Sequence, residues 1–195
     1  MPRGRCVSSG HASFVEPNTD CFMMFSLAFA WLSTVLSALV VTTYTVSFCI
    51  RYGIPTFISA SYYKLKHPIL FTLSMWATGG LAIPGILVGS DLHTKGFGFV
   101  AVAGLFLVGA APRFKDKHQL PIHIVGTSLA IIGSTGWVGF NRPEVLVLWS
   151  FLVLYGLCLL VFWKRIKPKP LFVAEVIALA AFYAAIFLRL FCLGK

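Results

Sequence analysis

Charge is what this chain has least of. Only 11% of its 195 residues are Asp, Glu, Lys or Arg, and only six are acidic. Soluble domains carry roughly 25% charged residues, because a globule must cover itself with water-compatible groups. This composition excludes a soluble globular domain and makes lipid the surrounding solvent. Metal and redox spacing is missing too: Cys6, Cys21, Cys49, Cys158 and Cys192 form no CxxC pair and no zinc pattern. In or beside apolar runs a thiol acts as a small hydrophobe. A disulfide is open only to Cys6 and Cys21, and only in an oxidising compartment. Aromatic-rich segments of alternating hydropathy are also absent, which excludes an outer-membrane barrel.

What the chain does have is long apolar runs. It is 58% hydrophobic, with a mean hydropathy of +0.86. Six runs approach the ~20 residues needed to cross a bilayer: 22–48, 68–89, 97–112, 121–140, 143–163 and 171–192. Pro68, Pro121 and Pro143 each open a run, where a missing N–H costs nothing. The expected fold is an all-α polytopic integral membrane protein: six transmembrane helices over 22–192 and no soluble domain. Residues 1–21 are polar and turn-rich and are predicted to be a disordered tail. Met23 and Met24 offer an alternative start, which would leave residues 1–22 outside the natural protein. A signal peptide is not expected, since the run from Phe22 is too long and no small-residue cleavage site precedes Arg51.

The net charge of +10 would suggest nucleic acid in a soluble protein. Here the bases lie in short stretches between apolar runs, so the partner they imply is an anionic bilayer and not nucleic acid. Ten of the sixteen Lys and Arg fall in the first, third and fifth connections. The positive-inside rule then puts those connections in the cytoplasm and both termini outside, in a multi-pass plasma-membrane topology. Lys64, Lys66, Arg113, Lys115 and Lys117 are the predicted headgroup-binding residues.

Two connections hold the polar groups. In "RYGIPTFISASYYKLKHP" (51–68), Pro55 can start a short interfacial helix with Ile58, Tyr62 and Leu65 on one face. Ser59 as a nucleophile would need a base, and this connection supplies none. In "GAAPRFKDKHQLPIHIVGTS" (109–128), His118 and His123 are five apart, with Pro121 between them. Together with His67 and Asp116 they form an alternative metal-binding set, although the spacing does not favour one; no cofactor is expected. The stretch reads as a cytoplasmic hinge. His123 is expected to contact the first connection through Ser59, Ser61 or Tyr62, because an unpartnered buried polar group costs on the order of 1–3 kcal/mol. Glu175, just inside the last run, completes the candidate polar site, either snorkelling or in a buried pair. Gly126, Ala130 and Ser134 fall four apart beside Gly133, a stripe that lets another helix approach, with Gly79, Gly80, Gly104 and Gly109 as matching surfaces. Pro84, near Gly79 and Gly80, is predicted to kink or break the second helix. Arg189 is expected to reach the opposite interface, and Asp91 and His93 only water.

"PRFKDK" followed by "PIHIVGT" resembles the "FP…HxxGA" signature of small six-span membrane proteins of the DRAM/Frag/Sfk group and of an uncharacterised bacterial six-span family. The resemblance rests on Pro112, His123, Gly126 and Thr127, with Thr127 in place of the usual Ala; "ISASYY" is similar to their polar first loop. It implies a lipid-associated role. Alkaline-ceramidase-like membrane hydrolases match less well, since they need a late HxxxH pair and no histidine follows His123. The expected function is therefore a non-enzymatic membrane component associated with lipid or with a partner protein, possible copies of itself included. The alternatives are a small transporter or channel acting as an oligomer and, third, a membrane-embedded hydrolase.

Overall fold

The structure, a computed structural model, describes residues 17–113, 116–151, 154–155 and 170–194. Every regular element among them is helical: α1 (Pro17–Tyr52), α2 (Ile69–Gly89), α3 (Lys95–Ala110), α4 (Asp116–Asn141) and α5 (Pro170–Leu193), with short 3-10 helices at Ile58–Lys64, Ala111–Arg113 and Pro143–Trp149. Four helices, not six, are long and apolar enough to cross a membrane among the described residues: Met24–Tyr52, Ile69–Gly89, Pro121–Asn141 and Phe172–Leu193. The six-span expectation is corrected accordingly. At 16 residues, α3 covers ~24 Å at 1.5 Å per residue, short of a ~30 Å hydrocarbon core. The expected span at 143–163 instead begins as 3-10 helix through Trp149, and its later residues lie mostly outside those described. Residues 1–16, most of the expected tail, also lie outside them, as do Cys6 and Cys158.

The helix faces show which solvent surrounds the protein. Along α1 the exposed large apolar side chains include Phe25, Phe29, Leu32, Leu36, Leu39, Val46 and Ile50, at steps of three, four or seven, with Met24, Val35 and Tyr52 beside them. The opposite face buries Ala30, Ser33, Thr34, Ser37, Val41 and Phe48. A helix in water turns its large apolar groups inward. Here they turn outward and small hydroxyl residues turn inward, as lipid requires. Ser37 joins three helices. It donates to Thr78 O at 2.6 Å, so its contact with Tyr183 Oη at 2.5 Å is donated by the tyrosine.

Small residues set the closest helix contact. A Cβ on Gly104 would lie 2.3 Å from Ala130 N, and one on Gly133 would lie 2.4 Å from Ala101 N. The backbones of α3 and α4 therefore touch, and Gly126, Ala130 and Gly133 form the seam. On its other side α3 meets α2, where Gly79 faces Phe106 and Gly109 faces Trp76. The helix α2 continues unbroken through Pro84. The broken span expected there is absent, although proline leaves the Gly80 carbonyl without its i+4 donor. Likewise α4 starts at Asp116, before Pro121, which confines the expected hinge to the residues between Ala110 and Asp116.

The bundle has two ends. At one, Arg189 Nε donates to Gly89 O at 2.9 Å and its Nη2 lies 3.3 Å from Asp91. Arg142 donates to Leu188 O at 3.1 Å, and Thr94 to Asn141 at 3.2 Å. Asp91, expected to meet only water, is thus an ion-pair partner. The other end carries residues 51–68, the 3-10 turn before α4 and the start of α5.

Candidate functional site

Residues 55–64 are held from three sides. Pro55 is buried, and Phe57 is extended (φ −157°, ψ 158°), which delivers the chain to the 3-10 helix Ile58–Lys64. In a 3-10 helix residues three apart eclipse each other, so Ile58 and Ser61 both turn inward. This replaces the α-helical face expected for Ile58, Tyr62 and Leu65. Toward α5, the Ile58 N–H donates to Glu175 Oε2 at 2.5 Å and the Phe172 N–H donates to Thr56 O at 3.1 Å. Toward α4, Ser59 Oγ lies 3.0 Å from His123 Nε2 and 3.2 Å from Nδ1. Thr127 Oγ1 is 3.4 Å from the same Nε2, and the Phe57 ring stacks on the imidazole with centroids 5.3 Å apart. Toward α1 and α2, the Ser61 and Tyr44 hydroxyls bond each other, and Tyr62 meets Phe71 edge-on at 6.2 Å.

The predicted polar residues therefore divide. Ser59, His123 and Glu175 gather around the start of the 3-10 helix, while Ser61 and Tyr62 face α1 and α2. Among the described residues Glu175 meets no basic partner; it accepts a backbone N–H. Next to this cluster is a cavity of about 70 Å³, large enough to admit water. Ser59, Thr127, Ser134 and Glu175 supply its polar groups, and Leu105, Ile131 and Phe182 are among its apolar walls. A serine hydroxyl at 3.0 Å from an imidazole nitrogen is the pairing a nucleophile and its base require. The neighbouring carboxylate and backbone N–H are engaged with each other. Glu175 directs Oε2 to Ile58, and the Ile58 N–H, adjacent to Ser59, is occupied by that carboxylate.

Tyr63, Lys64, Lys66 and His67 are exposed beside this cluster. The side chains of Arg113, Asp116, Lys117 and His118, and all of Lys115, lie outside the described residues. Among the described residues no three His, Cys, Asp or Glu gather as metal ligands. Sequence reasoning did not find Tyr44 or Phe57, and it singled out Thr127 only as part of the family resemblance. Tyr44 had a usable signal, because a phenol within an apolar run needs a polar partner.

Comparison with family models, with curated proteins and with solved structures found no match in any of the three. The resemblance through Pro112, His123, Gly126 and Thr127 is corrected on that finding, and the chain is not tied to the DRAM/Frag/Sfk group. The geometry explains why those residues mislead. A Cβ on Gly126 would lie 2.9 Å from Val108 N, and close helix packing selects such a glycine in any lineage. The fold and site define a membrane-embedded all-α protein.

Proposed function

We propose that the protein is a non-enzymatic membrane component associated with lipid, in which Ser59, His123 and Glu175 fasten an interfacial segment to the bundle. One observation supports this most: each of the three is engaged in holding residues 56–59, and the Glu175 carboxylate orients backbone instead of imidazole. Tyr63, Lys64 and Lys66 are then presented at headgroup level, where each cation gains about 1 kcal/mol from an anionic leaflet. The positive-inside rule assigns these cations to the cytoplasm, with the N-terminal end of α1 and the C-terminal end of α5 outside. A second reading, a membrane-embedded hydrolase, draws on the 3.0 Å Ser59–His123 contact. A fluorophosphonate, which phosphonylates activated serines with loss of fluoride, separates the two. The fastener reading expects no adduct on the purified protein. An adduct at Ser59 that disappears in His123→Ala overturns it in favour of the hydrolase.

A further inference from the structure

A second concavity lies on the flank of the bundle between α1 and α2, with a volume of about 540 Å³. Its lining changes character steadily along α1. Arg51 and Tyr52 form one end, Ser47 and Thr43 follow, and Val40, Leu39 and Leu36 form the other. From Arg51 to Leu36 is fifteen residues, ~22 Å along the helix. One leaflet of a ~40–45 Å bilayer, headgroups included, has the same depth. Ser74 of α2 adds a hydroxyl, and Leu65 closes the upper wall between the exposed Lys64 and Lys66. No acidic residue lines the groove, and neither ion pair among the described residues involves Arg51.

We propose that this groove binds one anionic glycerophospholipid. Its phosphate would meet Arg51, its ester oxygens the Ser47 and Ser74 hydroxyls, and one acyl chain the Val40, Leu39 and Leu36 surface. The order of cation, hydroxyl and apolar wall matches the order of phosphate, ester and chain in such a lipid. The match in depth also favours a lipid over a free phosphate. An arginine at a helix end lies at headgroup depth simply because of its length. The hydroxyls and the 540 Å³ groove below it distinguish a site from that general property. The inference rests on the lipid-associated reading and adds a place and a headgroup preference to it.

The test uses the full chain in mild detergent, with phosphatidylglycerol or phosphatidylethanolamine of the same acyl chains added and retained lipid counted by native mass spectrometry. Wild type should retain one phosphatidylglycerol at least fivefold more often than phosphatidylethanolamine. Arg51→Gln should erase the preference, and Arg51→Lys should restore part of it. Ser47→Trp, at an exposed position that core packing does not use, should displace either lipid by filling the groove. A Lys95→Gln variant, at the opposite end of the bundle at the start of α3, should leave the single bound lipid in place. If phosphatidylglycerol is preferred equally by wild type and Arg51→Gln, lipid association stands and the groove is wrong. If wild type retains neither lipid, the underlying reading falls with it. If Ser47→Cys cross-links to a second copy and no lipid is retained, the groove is a protein contact and the proposal is overturned.

Discussion

Removing the His123 imidazole should unfasten the interfacial segment, and the cost can be worked from its contacts. Ser59 is only 6% exposed, so deleting its partner strands a buried hydroxyl at about 1–3 kcal/mol. The stacked Phe57 ring at 5.3 Å adds about 0.5–1.5 kcal/mol. His123→Ala should therefore lose about 3 kcal/mol. Ser59→Ala should lose less, about 1 kcal/mol, because Thr127 still reaches Nε2 at 3.4 Å. The double variant strands no hydroxyl, so its loss should fall short of the summed single losses by about 1–2 kcal/mol. Unfolding each protein by SDS titration in mixed micelles, followed by tryptophan fluorescence, measures all three. Losses that add to within about 0.5 kcal/mol, the tolerance for independent sites, would refute direct coupling and with it the fastener.

Further outcomes are expected from the same assay. Gly104→Ala should cost about 1–3 kcal/mol, since its Cβ would meet Ala130 N at 2.3 Å; Gly96→Ala, with nothing within 4 Å, should be neutral or stabilising, and equal effects would reject the α3–α4 seam. Glu175→Gln keeps an acceptor for the Ile58 N–H and should leave residues 51–68 protected, whereas Glu175→Leu should expose them to protease; equal cleavage of both would remove the carboxylate from the tether. Tyr183→Phe should cost about 0.6 kcal/mol and no more than about 1.7, the range of hydrogen bonds between membrane helices; a larger loss would mean that Ser37 depends on the phenol as well as on Thr78. A reporter active only in the cytoplasm should stay silent when fused after α5, and activity there would invert the proposed orientation.

The apolar runs at 68–89, 121–140 and 171–192 were read within a few residues of α2, α4 and α5, because lipid-facing length is a local property that hydropathy measures directly. The run at 22–48 ends four residues before Tyr52, the last residue of α1. Pro143–Trp149 show the limit of the same logic, the rest of that expected span lying mostly outside the described residues. Apolar composition does not distinguish a 3-10 turn from a span, and Pro143 suits the first turn of either. At the site, burying His123 required a partner, and the reasoning limited the choice to the three residues that include Ser59. Which of them faced α4 depended on the 3-10 period, which residue pattern alone left open. Asp91 and Arg189, 98 residues apart, were paired only by the tertiary fold.

The tether of the interfacial segment also constrains the order in which the protein can be assembled. Residues 56–59 leave the ribosome long before the groups that hold them: His123 follows Ser59 by 64 residues, and Glu175 follows Ile58 by 117. Until then the Ile58 N–H and the Ser59 hydroxyl have only water or headgroups as partners. Arrival of α4 secures the first bond, and α5 secures the second together with the Phe172–Thr56 bond. A chain stalled before residue 170 would thus carry α1 to α4 with its 51–68 segment half released, and the fastening of that segment reports that α5 has docked.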